Sequence, residues 1–240
     1  MKSSLAFASL LVVWGNVASL MLGTSAWLPG GSWSFVIAGS ALVLVSLAFA
    51  RVWSLDASAM GLRGDPLRGA LVGAALGGTA ALAGVAALRL LGPVIVGRPI
   101  DYAPLSSVTD AGLAQHIAFF LPLGDIVPEE IAFRGVLLGA LARSTGTRAA
   151  ILGAGATFAL WHLAVVVVTI GDTTLGRPSP WFLPAVGGAL AVVVVGGVLL
   201  AWLRLRTGSL ATTVMAHWAF NAVVLVGLWS ARPPLPSGCC

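Results

Sequence analysis

Residues 111–142 read Ala-Gly-Leu-Ala-Gln-His-Ile-Ala-Phe-Phe-Leu-Pro-Leu-Gly-Asp-Ile-Val-Pro-Glu-Glu-Ile-Ala-Phe-Arg-Gly-Val-Leu-Leu-Gly-Ala-Leu-Ala. The stretch is apolar at both ends and holds Asp125, Glu129, Glu130 and Arg134 near its middle. A charged group at the centre of a bilayer costs about 2.5–3.5 kcal/mol on insertion scales, so four of them in one apolar run demand a reason. Does this run cross a membrane as a helix despite those charges?

The rest of the chain answers that question. It has 240 residues, 58% hydrophobic and 9% charged, with a mean hydropathy of +1.00. Soluble domains carry roughly 25% charged residues. A soluble globular protein, a disordered chain and a disulfide scaffold are therefore excluded, and a polytopic helical membrane protein is indicated. Apolar runs fall at about 5–22, 33–50, 69–97, 111–142, 148–170, 181–203 and 208–230. They are too long for barrel strands and show no internal repeat. The expected fold is an all-α membrane bundle of seven to eight helices, one membrane-embedded domain over residues 1–240.

Orientation follows from the loop cations. If seven runs alternate, Lys2, Arg51, Arg63, Arg68, Arg143, Arg148, Arg204 and Arg206 fall on one side, and Arg98, Arg177 and Arg232 on the other. The richer side is expected to be cytoplasmic. The 111–142 run then crosses once, kinked or broken at Pro122 and Pro128. The net charge of +5 comes from cations scattered singly through short loops, so no nucleic-acid surface is expected. Lys2 stands against twelve arginines, a skew that accompanies GC-rich bacterial genomes, and a bacterial inner membrane is the expected location.

Two terminal features are read as ordinary. Thr24-Ser25-Ala26 passes as a signal-peptide cleavage site, but the run from Leu5 to Leu22 is longer than the usual 7–15-residue apolar region, so a retained first helix is expected. Cys239 and Cys240 are adjacent at the end of the chain and read as an exposed tail with no disulfide framework. Gly69, Gly73 and Gly77 form a small-residue stripe that suits close helix packing.

Polar residues deep in the runs are functional candidates. Besides the fourth run they are His162 in the fifth and His217 with Asn221 in the seventh. Glu130 and Arg134 are spaced i,i+4 and can pair on one helix face, which leaves Glu129, rotated by about 100°, without that arginine. His217 and Asn221 share a face by the same spacing. At 1.5 Å per residue from the proposed cytoplasmic ends, Glu129 lies about 20 Å in, His162 about 21 Å, His217 about 14 Å and Asn221 about 20 Å. Four groups from three helices thus converge on one level. Pro128 suits the first position of a helix, with Glu129 and Glu130 in its first turn, and Asp125 reads as the cap of that helix. His116, high in the fourth run, reads as structural.

A carboxylate and a neutral imidazole can together polarise water, and a second His with an amide can donate to a developing oxyanion. That set suffices for amide hydrolysis without a covalent intermediate. No serine elbow and no HExxH helix occurs. A zinc site of Glu and two His stays open as the rival chemistry. Interhelical hydrogen bonds that merely hold the bundle, and a proton relay or transporter, are the rival roles.

Three short motifs carry a resemblance. They are Glu129-Glu130-Ile131-Ala132-Phe133-Arg134, then Phe158-Ala159-Leu160-Trp161-His162, then His217-Trp218-Ala219-Phe220-Asn221. Each alone is weak; together, in order and in membrane runs, they are specific. Over residues 125–225 the chain resembles the CAAX protease and bacteriocin-processing family of intramembrane glutamic proteases, related to type II CAAX prenyl endopeptidases. The resemblance implies an endopeptidase in which Glu129 and His162 activate water, His217 and Asn221 form the oxyanion hole, and Glu130 and Arg134 support the site. It implies an eight-helix fold with its cavity open to the cytoplasm, and neither cofactor nor metal. The implied partners are the lipid bilayer and a peptide or protein substrate, lipidated or membrane-associated. The eukaryotic branch trims prenylated CAAX proteins, whereas bacterial relatives are linked to peptide maturation, bacteriocin immunity and regulated proteolysis. A non-proteolytic scaffold or immunity protein of the same fold is the alternative.

Overall fold

The computed structural model describes residues 2–22 and 31–232. Thr24–Ala26 and the Cys239–Cys240 pair lie outside the described residues. Among the described residues there are eight helices: α1 (Lys2–Leu22), α2 (Gly31–Val52), α3 (Pro66–Val96), α4 (residues 110–145), α5 (Thr147–Trp161), α6 (Leu163–Gly171), α7 (Phe182–Thr207) and α8 (Leu210–Trp229). Among the described residues the only β pairing is two isolated bridges, Leu62 with Ser209 and Tyr102 with Thr173.

Local chemistry sets the helix ends. The Asp65 carboxylate accepts from the N–H groups of Leu67 and Arg68 at 3.0 and 3.1 Å, and Pro66 opens α3, where its missing N–H costs nothing. Thr109 Oγ1 accepts from Gly112 N–H at 3.1 Å and caps α4. Gly146 (φ 81°) separates α4 from α5, and Gly208 (φ 64°) separates α7 from α8. Both have a positive φ that side chains disfavour, and Gly208 is a left-handed helix cap.

Five helices are each long and apolar enough to cross a membrane: α1, α2, α3, α7 and α8. α5 and α6 pass the same test together, bent by 42° at His162. Counting that pair as one, six spans pass the test among the described residues, and α4 runs as a further continuous helix between the same two ends of the bundle. Contacts between loops show the alternation. At one end Arg143 donates to the Trp53 and Ser54 carbonyls at 3.1 and 3.2 Å, Arg204 donates to the Ala59 carbonyl, and Gly64 N–H meets the Gly208 carbonyl at 3.1 Å. At the other end Trp229 Nε1 donates to the Val108 carbonyl at 3.0 Å, Ala103 N–H to the Asp172 carbonyl at 2.9 Å, and Arg98 to the Thr174 carbonyl. The expected partition of loop arginines matches these two ends. Large side chains such as Leu44, Leu90, Val94 and Leu183 are exposed on the outer faces, as lipid-facing positions are.

Two expectations need correction at α4. Pro128 does not begin a helix, and Asp125 does not cap one. The backbone is right-handed helical through Ile126, Glu130 and Ile131, and no side chain caps it there. The ladder instead widens over His116–Ile126 and again over Ile131–Leu137. Val127 N–H reaches the Pro122 carbonyl and Leu138 N–H the Phe133 carbonyl, each five residues back. Widened turns hold more residues per turn, so the long run stays one continuous pass. Glu129 and Glu130 therefore sit in mid-helix, away from any free helix N-terminus.

The core gathers Phe7 and Leu11 of α1, Leu42 of α2, Phe133 and Leu137 of α4, and Phe158 and Trp161 of α5. α3 lies along α8 through the glycine stripe. A Cβ on Gly73 would sit 2.1 Å from the Thr212 carbonyl oxygen, and one on Gly77 2.0 Å from that of Ala216. Only glycine lets the two backbones approach this closely, and α8 is the helix that carries His217 and Asn221.

Candidate active site

Glu129 and Glu130 are neighbours in α4 but meet different partners, because successive helical residues diverge by about 100°. Glu130 is fully buried and Arg134 is 1% exposed. Arg134 NH1 donates to Glu130 Oε1 at 2.8 Å. His217 of α8 reaches the same oxygen through Nδ1 at 2.9 Å. A carboxylate only accepts, so His217 Nδ1 carries the proton and Nε2 is the ring atom left for other partners. The Arg134 guanidinium also lies 3.9 Å above the Phe158 ring, a buried cation–π contact.

Glu129 turns toward α5. Trp161 Nε1 donates to Glu129 Oε1 at 3.1 Å. The other oxygen, Oε2, is buried without a hydrogen-bond partner among the described residues, and it lies 3.8 Å from His162 Nε2. His162 Nδ1 is 2.9 Å from the Phe158 carbonyl. A carbonyl accepts, so Nδ1 again holds the proton and Nε2 faces Glu129 with its lone pair in the neutral ring. Phe158 anchors both imidazoles, with ring centroids 4.3 Å from His162 and 5.7 Å from His217.

All four residues proposed from the sequence for chemistry, Glu129, His162, His217 and Asn221, line one cavity of about 1020 Å³. Glu130 and Arg134 stand behind it, buried and bonded to each other. The expected i,i+4 pairing of Glu130 with Arg134 is present, and the link from Glu130 to His217 extends it. Among the described residues, no three His, Cys, Asp or Glu side chains are gathered as a metal ion would require.

Other wall residues were read differently from the sequence or not singled out. Asp125 and His116 line the same cavity, where the sequence suggested a cap and a structural histidine. Trp161 had a visible signal, a tryptophan in mid-run beside a histidine, but its bond to Glu129 depends on how α5 docks against α4. Tyr102 reaches the cavity from the loop before α4, and nothing in the local sequence marked it.

Residues 113–223 match the type II CAAX prenyl endopeptidase Rce1-like family. The matched stretch begins in α4 and ends within α8, so it holds every one of the six candidate residues. No curated protein and no solved structure matches the chain. The family match and the apolar helices together support an integral, multi-pass membrane protein.

Proposed function

From that match we propose that the protein is an intramembrane endopeptidase of the glutamic type, hydrolysing a peptide bond in a membrane-associated peptide or protein. The observation that carries the proposal is the facing of Glu129 Oε2 and His162 Nε2 across 3.8 Å on the wall of the cavity. That separation is too long for a direct hydrogen bond and suits one water held between two acceptors. Glu129 takes a proton from this water as general base while His162 Nε2 orients it. The hydroxide adds to the scissile carbonyl, and the proton passes to the leaving nitrogen as the C–N bond breaks.

His217 and Asn221 face the developing oxyanion from α8. The Asn221 amide donates without further condition. His217 already commits Nδ1–H to Glu130, so it donates from Nε2 only when both ring nitrogens carry protons. The Glu130 carboxylate balances that charge, and Arg134 holds the carboxylate in place. The buried ion pair is thus an electrostatic support for the oxyanion site rather than a source of stability in itself.

The arginine-rich end of the bundle is assigned to the cytoplasm, in a bacterial inner membrane. The test is cleavage by purified protein in proteoliposomes, with a farnesylated CAAX peptide and its unprenylated form as probes. Glu129→Ala and His162→Ala abolish cleavage while the proteins still insert and accumulate. Retained cleavage in either variant overturns the assignment of the water-activating pair. Equal cleavage of both probes assigns the specificity to the peptide rather than the prenyl group.

A further inference from the structure

The bend between α5 and α6 has a specific cause, and it comes from outside the matched residues. In an unbroken helix Ala164 N–H would donate to the Leu160 carbonyl. Here the Asn16 carboxamide of α1 is inserted between them. Asn16 Nδ2 donates to the Leu160 carbonyl at 2.8 Å, and Asn16 Oδ1 accepts from Ala164 N–H at 2.8 Å. The same Nδ2 also donates to the Val12 carbonyl of its own helix at 2.8 Å, which fixes the amide's rotation. A side chain inserted into the helical ladder is a recognised origin of sharp kinks. In lipid it has a second effect: the two backbone groups freed by the break are both satisfied, where unpaired they would be costly.

His162 sits at that break, with φ −86° and ψ 3°, between the two groups that Asn16 holds. On its other side is Trp161, whose indole bonds Glu129. Gly15, next to Asn16, is seated on this indole. A Cβ there would lie 2.2 Å from Trp161 Cδ2. One dipeptide of α1 therefore touches both halves of the proposed water-activating pair: the amide sets the backbone of His162, and the bare glycine sets the ring that holds Glu129.

We propose that Gly15-Asn16 is the positioning element of the active site, holding His162 and, through Trp161, Glu129 in register. The proposal deepens the endopeptidase reading and rests on it for the roles of His162 and Glu129. Asn16→Leu removes both bonds to the break. Leu160 C=O and Ala164 N–H can then pair with each other, so the variant has a way to fold in lipid, with the bend relaxed. Gly15→Ala instead forces the indole or α1 to move.

The test uses full-length protein in proteoliposomes, with cleavage of the CAAX peptide probe and fluorine NMR of protein labelled with 5-fluorotryptophan. The Trp161 resonance is assigned by its loss in Trp161→Phe. A misplacement near 1 Å in an active site costs up to about 100-fold in rate. Asn16→Leu and Gly15→Ala are each expected to lower kcat about tenfold or more, to leave KM within about twofold, and to shift the Trp161 resonance in the folded protein. A merely destabilised protein would lose active molecules without moving that resonance. Unchanged kcat in both variants, or an unmoved Trp161 resonance, overturns the proposal. If the unsubstituted protein cleaves no probe while the resonance moves in both variants, the positioning stands and the endopeptidase reading is what fails.

Discussion

His217 Nδ1 and Glu130 Oε1 are 2.9 Å apart, joining α8 to the centre of α4. The acid that pairs with arginine on its own helix is the acid that orients a histidine on another. The two adjacent glutamates therefore divide the work: Glu130 is tied to Arg134 and His217, and of the pair it is Glu129 that presents an oxygen to the cavity.

That division predicts opposite behaviour for two conservative variants. Glu130→Gln breaks a fully buried ion pair and leaves Arg134 charged in the core, at a cost of about 3–5 kcal/mol. Lower thermal stability in detergent and poor accumulation are expected. Glu129→Gln removes no ion pair and is expected to accumulate normally while losing activity. Equal melting temperatures for the two variants would contradict the division.

Asn221→Ala removes one donor from the proposed oxyanion site. Loss of such a donor costs about 10²–10³-fold in kcat. Steady-state cleavage in proteoliposomes should show that fall with KM little changed. A rise in KM at constant kcat would place Asn221 in ground-state binding instead.

Trp161→Phe keeps an aromatic ring against Phe133 and Gly15 and deletes the Nε1–H donor to Glu129. A hydrogen bond to a charged group is worth about 1.5–3 kcal/mol. A loss of roughly ten- to a hundredfold in kcat is expected from the freed carboxylate. Activity within twofold of the unsubstituted protein would remove Trp161 from the mechanism.

The glycine stripe gives a stability prediction with an internal control. Gly77→Ala places a methyl 2.0 Å from a backbone oxygen of α8, so α3 and α8 must separate. A lower melting temperature and weaker catalysis by the His217 and Asn221 helix are expected. Gly78→Ala meets nothing within 4 Å and should be neutral or stabilising by up to about 1 kcal/mol, because alanine favours the helix. Equal effects at the two positions would contradict the α3–α8 contact.

Metal removal separates the glutamic from the zinc chemistry. Cleavage is expected to survive a strong chelator. Loss of activity that zinc restores would transfer the mechanism to a metal.

Much of the site was legible because lipid penalises charge. Glu129, Glu130, Arg134, His162 and His217 stand out in apolar runs, and spacing alone paired Glu130 with Arg134. What stayed hidden depended on departures from the regular helix or on distant contacts. Pro128 and Asp125 resembled a helix start because proline suits a first helical turn and aspartate a cap, whereas here the helix runs on through both with a ladder that widens to five-residue hydrogen bonding. The bend at His162 was equally invisible: its cause, Asn16, lies 148 positions from Ala164, and a single amide in an apolar helix does not announce its partner. The run count came from hydropathy, and the arginines sorted the loops between the two ends of the bundle; α4 stays one continuous helix across a run long enough to break in two.

The most direct measurement is quantitative profiling of protein termini in native membranes, comparing the unsubstituted protein with Glu129→Gln at equal abundance. If Glu129 is the base of an endopeptidase, a defined set of new termini vanishes in the variant, and the sequences flanking them name the substrates. If the same termini persist at the same levels in Glu129→Gln, Glu129 is not the base and the proteolytic mechanism is contradicted.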